Sequence, residues 1–313
     1  MASPLRLTIA QGGLRDDVAG VIIDTAWTIL RATFEVAEVA MSRFSEDSEL
    51  TRLNRRSPLA SPISRPLERA LSAAHRANRV TGGRFDPRII DALERIGYTG
   101  VPQGSTARAG MAGADEQGPE PILARRGRTG EVSLPRPLDL GGIGKGLALR
   151  WAATALDSSL VGAEEPAIGY LVDAGGDIVG RGSPGGSEPW LVAIEDPAGG
   201  PDPVAVVTVR DGGAIATSSI RRLRWERDGR TVHHLIDPRT SEPGGDGLAS
   251  VTVAGPDPAW AEVWSKALFL EGADGIAGTA RACGFAAWWV TTDGHLEMTP
   301  AGRARTAWVA AEA

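Results

Sequence analysis

From residue 170 the chain reads Tyr170-Leu171-Val172-Asp173-Ala174-Gly175-Gly176-Asp177-Ile178-Val179, an apolar run with a glycine pair set into it. We read Tyr170 to Val179 as a strand with a Gly-rich break at Asp173 to Asp177, because Gly inside a strand pattern marks a bulge or a close approach of backbone. Downstream, Trp190 to Glu195, Val204 to Val209 and Ala249 to Ala254 carry the same β-rich composition. Leu223 to Arg227 and Arg230 to Ile236 flank Asp228-Gly229, the residue pair that a tight hairpin turn favours. Ala216-Thr-Ser-Ser219 reads as a hydroxyl-rich strand break.

Helical periodicity lies on either side of this block. Val18 to Phe44 places Ile22, Ala26, Ile29, Leu30 and Phe34 at three- and four-residue spacings, after a short strand at Leu5 to Ala10. Ser64 and Pro66 open a second helix that Thr81-Gly82-Gly83 stops. Glu131 to Leu140 reads as strands separated by prolines, Gly141 to Gly146 as a turn, and Leu147 to Leu156 as a helix. Asp257-Pro258 opens a further helix through Leu270, a short one ends at Gly284, and Ala287 to Met298 reads as a hairpin turning at Asp293-Gly294. Strand runs with helices inserted at intervals predict an α+β fold of mixed, largely antiparallel sheets with packed helices. Residues 1 to 313 are expected to form a single domain with a mobile excursion at 103–120, where the sequence is Gly, Ala, Ser and polar.

Composition narrows the function. Of 313 residues, 42% are hydrophobic and 23% charged, ordinary globular values that exclude global disorder and a coiled coil. A net charge of -6 argues against nucleic acid as a partner, since phosphate binders gather Lys and Arg. The single cysteine, Cys283, excludes an intramolecular disulfide framework. Met1 to Gly13 lacks a signal-peptide pattern and no 18-residue apolar run follows, so the chain as written reads as cytoplasmic with no transmembrane segment, with a longer exported precursor left open.

Leu138-Asp-Leu-Gly-Gly-Ile-Gly-Lys-Gly-Leu-Ala148 sets a carboxylate, four glycines and Lys145 at a helix start. Glycines let backbone N–H groups approach an anion and a lysine adds a point charge, although Gly146 stands where a Walker loop needs Ser or Thr. Alone, the pattern fits either a phosphate site or a helix-opening turn with a solvated lysine. Of 33 basic residues, Lys145 and Lys266 are the two lysines, which marks both as positions a guanidinium fork does not suit. His233-His234 ends a strand beside Asp237; at most one imidazole of the pair faces a given pocket, and a strand-end structural role is the alternative. Thr81-Gly-Gly-Arg-Phe-Asp-Pro87 also reads as a C-cap turn. The nine tryptophans read as packing rather than as a cofactor cage.

Taken in order, these segments resemble the FAD:protein FMN transferase family, the ApbE-like flavin transferases. Ser42-Arg-Phe-Ser-Glu-Asp-Ser-Glu-Leu-Thr-Arg-Leu-Asn54 is similar to its S-x-F-x-x-x-S-E-L-x-x-L-N, Thr81 to Pro87 to T-G-G-x-F-D-P, and Leu138 to Ala148 to D-L-G-G-I-A-K-G-Y-A. Asp173 to Asp177 resembles N-A-G-G-D, Ala216 to Ser219 A-T-S-G, and His234 to Thr240 H-I-I-D-P-R-T-G. The resemblance implies an ApbE-like fold and a Mg-dependent transferase that moves FMN from FAD onto a Ser or Thr hydroxyl of an acceptor flavoprotein, releasing AMP. It implies that Lys145 and the Gly141 to Gly146 backbone hold phosphate, and that His234 is the general base. Met1, Phe44, Arg84, Phe85, Asp86, Asp139 and Ile236 would contact FAD.

The departures fall at the implied metal, which the family holds with an Asp and a Thr of A-D-x-x-x-T and a carbonyl, here that of Gly142. This chain has Ala261-Glu262-Val263-Trp264-Ser265-Lys266. An ammonium cannot ligate Mg, so Lys266 is expected to occupy or border the cation's position beside Glu262, the alternative being a surface Glu-Lys pair. Ser219 and Ser241 also stand where the family patterns carry glycine. An FAD pyrophosphatase and a non-catalytic FAD-binding protein are the alternative functions.

Overall fold

The computed structural model describes residues 4–10, 16–98, 124–126, 131–160 and 169–310. The excursion expected at 103–120 and the Met1 contact lie outside the described residues. A seven-stranded antiparallel sheet runs in the spatial order Leu5–Ile9, Tyr170–Ala174, Asp177–Arg181, Ala214–Ser219, Leu248–Gly255, Ala286–Thr291 and Leu296–Met298. The α+β reading therefore stands.

Both faces of this sheet are covered. One receives the helices Asp16–Met41, Arg65–Val80, Gly144–Leu160 and Pro258–Phe269; the other receives a three-stranded sheet of Trp190–Glu195, Pro203–Val209 and Thr306–Val309. Trp288 and Trp289 show the consequence. Neighbours on a strand point to opposite faces, so Trp288 packs with Trp190 and Val207 while Trp289 packs with Phe269 and Ile276, both tryptophans buried.

Local chemistry explains the helix starts. Ser64 and Asp257 each accept a backbone N–H in the first turn, from Leu67 and Trp260, and each is followed by Pro at the opening positions. Ser48 caps Glu49–Arg56, a short helix that apolar spacing does not reveal because Leu50 and Leu53 alone are buried.

The structure departs from four expectations. Tyr170 to Val179 forms two strands of a hairpin, since Gly175 and Gly176 adopt φ of 68° and 97° and reverse the chain. Ala216 to Ser219 lies inside the strand Ala214–Ser219 near the sheet centre; its hydroxyls find partners, Thr217 with Thr252 and Ser218 with Ser265. The helix read from Leu147 begins at Gly144, which puts Lys145 and Gly146 in its first turn, and Leu134 to Leu140 is irregular instead of a second strand. Among the described residues no helix is long and apolar enough to cross a membrane.

Candidate active site

The site is built where the helices Gly144–Leu160 and Pro258–Phe269 cross. A Cβ on Gly146 would lie 2.5 Å from the Ala259 Cα and the Pro258 carbonyl oxygen, so only glycine permits this approach. The closeness has a chemical result. The Gly146 N–H donates to Glu262 Oε2 at 2.8 Å, so a carboxylate from one helix caps the amino end of the other.

Glu262 Oε1 accepts from Lys145 Nζ at 2.9 Å and from Lys266 Nζ at 3.4 Å, and Lys145 also donates to Asp177 Oδ2. Asp177 follows the Gly175-Gly176 turn, and its other oxygen accepts the Thr217 N–H at 3.2 Å. Both carboxylate side chains are almost inaccessible, 1% for Glu262 and 3% for Asp177, while the two lysines keep 26% and 19%. Glu262 and Lys266 are thus not a surface pair. The four charges sum to zero at a spot whose outer surface is ammonium.

The protonation states follow from this geometry. Burial pulls Lys145 down, but Asp177 and Glu262 outweigh it and hold the ammonium above its ordinary range. Burial likewise raises Glu262, and the two lysines and the Gly146 amide bring it below the usual carboxylate range. Burial raises Asp177 against the pull of Lys145, and lowers Lys266 against the pull of Glu262.

Next to the cluster, Gly142 is crowded by the Phe85 ring and the Lys266 stem, to which a Cβ there would come within 2.8 and 3.2 Å. Gly142, Phe85, Lys145, Glu262 and Lys266 therefore meet, although 181 positions separate Phe85 from Lys266 in the chain. Within the Gly-rich turn, the amides of Gly141, Ile143, Gly144 and Gly146 already bond to Asp139, Leu140, Leu140 and Glu262.

A second group is aromatic. Tyr98 stacks on Trp225 with centroids 5.7 Å apart, meets Phe44 edge-on at 6.3 Å and lies 6.1 Å from His234. The Arg43 guanidinium covers Phe44 and Tyr98 at 4.5 and 5.2 Å and pairs with Asp139 at 2.7 Å. Trp225 is delivered by the hairpin of Arg224–Arg227 and Arg230–His233, whose turn at Asp228 and Gly229 has positive φ at both residues. Trp225 Nε1 donates to the Ile96 carbonyl, which fixes the hairpin against the helix Ile90–Arg95.

The adjacent histidines separate as the strand argument required. His233 meets the Phe269 ring edge-on, whereas His234 turns toward Tyr98 with Nδ1 3.4 Å from the Leu223 carbonyl oxygen. His234 is enclosed by protein on most sides yet reached by solvent. That desolvation, followed by the positive field of Lys266, lowers its pKa to about 3, so the ring is neutral at pH 7.

The remaining expected FAD contacts divide. Phe44 is exposed and Asp139 borders the aromatic group through Arg43. Arg84 pairs with Glu271 at 2.9 Å, Asp86 with Arg88, and Ile236 packs among Ala92, Leu93 and Ile96. These three are tied into the scaffold. The site reading omitted Arg43, Tyr98, Asp177 and Trp225. Asp177 and Arg43 fall inside quoted motifs and were findable there; Tyr98 and Trp225 carry no motif.

Comparison with known proteins bears on this arrangement. The model of the ApbE family matches residues 1–289. The FAD:protein FMN transferase of Salmonella typhimurium is 27% identical over 280 residues, covering 86% of this chain and 77% of that one. That of Vibrio cholerae is 30% identical over 260 residues, 78% of this chain and 71% of its own. Among solved structures, an ApbE protein from Thermotoga maritima superposes with a TM-score of 0.80 at 23% identity, covering 97% of this chain and 96% of that one. A variant of the flavin transferase ApbE from Vibrio cholerae gives 0.73 at 25% identity with the same coverage.

Proposed function

The chain belongs to the ApbE family, and from that premise we propose that it is an FAD:protein FMN transferase whose reaction centre lies between the lysine–carboxylate cluster and His234. The observation that carries this reading is the juxtaposition itself. The field of two fixed ammonium groups reaches a neutral imidazole, beside a half-buried aromatic wall whose Phe44 is exposed and on which a flavin or adenine ring can stack.

The chemistry is an in-line phosphoryl transfer. The hydroxyl oxygen of an acceptor Ser or Thr bonds to the flavin-side phosphorus of FAD. The bond from that phosphorus to the bridging oxygen breaks, and AMP leaves with the oxygen. His234 takes the hydroxyl proton. Because the Leu223 carbonyl can only accept, the ring proton sits on Nδ1, leaving the Nε2 lone pair as the base. Lys145 and Lys266 face the charge that develops as AMP departs, and Tyr98, Trp225 and Phe44 hold a ring system in place.

Family resemblance implies Mg, and these residues do not fit it. Mg asks for oxygen ligands in near-octahedral order, yet Glu262 already serves three donors and Lys266 has no lone pair to give.

The test is incubation with FAD and a peptide bearing a Ser or Thr acceptor site. Covalent FMN on the peptide with equimolar AMP is the expected result. AMP and FMN released with the peptide unmodified would replace the transferase with a pyrophosphatase, and bound FAD that stays intact would leave a binding protein.

A further inference from the structure

We propose that the Lys266 ammonium takes the place of a divalent cation, so that this chain binds the FAD pyrophosphate without a metal. The inference rests on the transferase reading for its substrate and on the cluster for its substance.

The place a cation would take is occupied. Glu262 is the one carboxylate on the helix face that looks at the Gly-rich turn, and its two oxygens receive Lys145, Lys266 and the Gly146 amide. Any cation reaching it would have to displace an ammonium that is already paired with it and packed against Gly142. The charge there is balanced as well. Two ammoniums and two carboxylates cancel, so the cluster lacks the excess negative charge that draws a divalent ion from water. The packing agrees. The Lys266 stem runs past Gly142 at contact distance, where any side chain in place of glycine would crowd it, so the ammonium is guided to Glu262 and not left to solvent. An ammonium fixed there presents N–H donors to a phosphate oxygen with no metal to load or lose.

The two lysines are not redundant. Lys145 bridges both carboxylates and keeps one N–H, whereas Lys266 touches one and keeps two, so Lys266 has more donors left for substrate. Replacing it with Thr leaves Glu262 Oε1 with one donor, exposes a hydroxyl oxygen, and takes the cluster to a net charge of one negative. That set would call for a cation.

The experiment measures FAD affinity by fluorescence quenching in EDTA and in Mg for the wild type and Lys266→Thr, with Mn binding followed by electron paramagnetic resonance. The wild type is expected to hold FAD within about twofold in the two buffers and to bind no stoichiometric Mn, as a site with a built-in counter-charge should. Lys266→Thr is expected to lose about tenfold in EDTA, regain it with Mg and bind one Mn. Stoichiometric Mn in the wild type together with loss of FAD under chelation would overturn the proposal, and this arm needs no variant to fold. A wild type that binds FAD in EDTA but transfers no FMN would leave the inference standing and remove the transferase.

Discussion

The lysine–carboxylate cluster and the aromatic wall are neighbours built on opposite principles. The cluster is over-determined: each buried carboxylate has at least two donors, and its seat depends on two helices meeting at Gly146. The wall is held by ring contacts near 6 Å, one cation over two faces and one indole hydrogen bond. Where charge must be desolvated, every partner has to be in place before substrate arrives; where a flat ring must stack, approximate placement suffices.

The hardest blow to this contrast is Lys145→Ala. It leaves Asp177 a buried charge with no cation beside it and Glu262 with Lys266 as its remaining cation, and breaking such a buried pair costs about 3 kcal/mol or more. Urea unfolding should register that loss together with disappearance of AMP release. Retained stability would mean that the cluster is ordinary surface electrostatics. Gly146→Ala comes next: its methyl meets backbone, not a flexible side chain, so the helices must part. Overpacking of that kind costs about 1–3 kcal/mol, read as a lower urea midpoint, and should weaken FAD binding in parallel.

How legible each region was in the sequence follows from the same contrast. The cluster announces itself because close helix crossing demands glycine and because lysine is scarce in this chain, so Lys145, Glu262 and Lys266 stood out as letters. What no spacing revealed was that Glu262 would cap the helix bearing Lys145, a contact across 116 positions. Of the wall, the sequence marks Phe44 alone, through the family resemblance. Tyr98 and Trp225 meet because a hairpin folds over the helix Ile90–Arg95, and neither residue type is unusual in a loop or strand. The strand Ala214–Ser219 was misread for a related reason: Thr and Ser suit turns by local bonding, but here Thr252 and Ser265 supply distant partners.

His234 sits between the two regions and joins them. His234→Ala should lower kcat by roughly a hundredfold or more while FAD affinity changes little, the mark of a proton acceptor and not of a binding contact. Its pKa of about 3 places the acid limb of kcat/KM for the free enzyme well below 6.5. The same shift fixes the sign of a stability effect. An unfolded histidine takes up a proton below pH 6.5 while the folded one does not until about pH 3, so stability falls across that window as pH drops. In His234→Ala that slope should flatten. An unchanged slope would mean that the ring is not held neutral by its surroundings.

The smallest effect belongs to the wall. Trp225→Phe keeps a ring for stacking on Tyr98 but removes the donor to the Ile96 carbonyl, and Trp225→Ala removes both. An aromatic pair contributes about 0.5–1.5 kcal/mol beyond area burial, so the alanine variant should weaken FAD binding by about threefold to tenfold with kcat nearly unchanged. The phenylalanine variant should lie between. If it matched the alanine variant, the indole hydrogen bond and not the stacked ring would be what holds the wall, and the hairpin would have to be counted with the cluster as a part whose position is exacting.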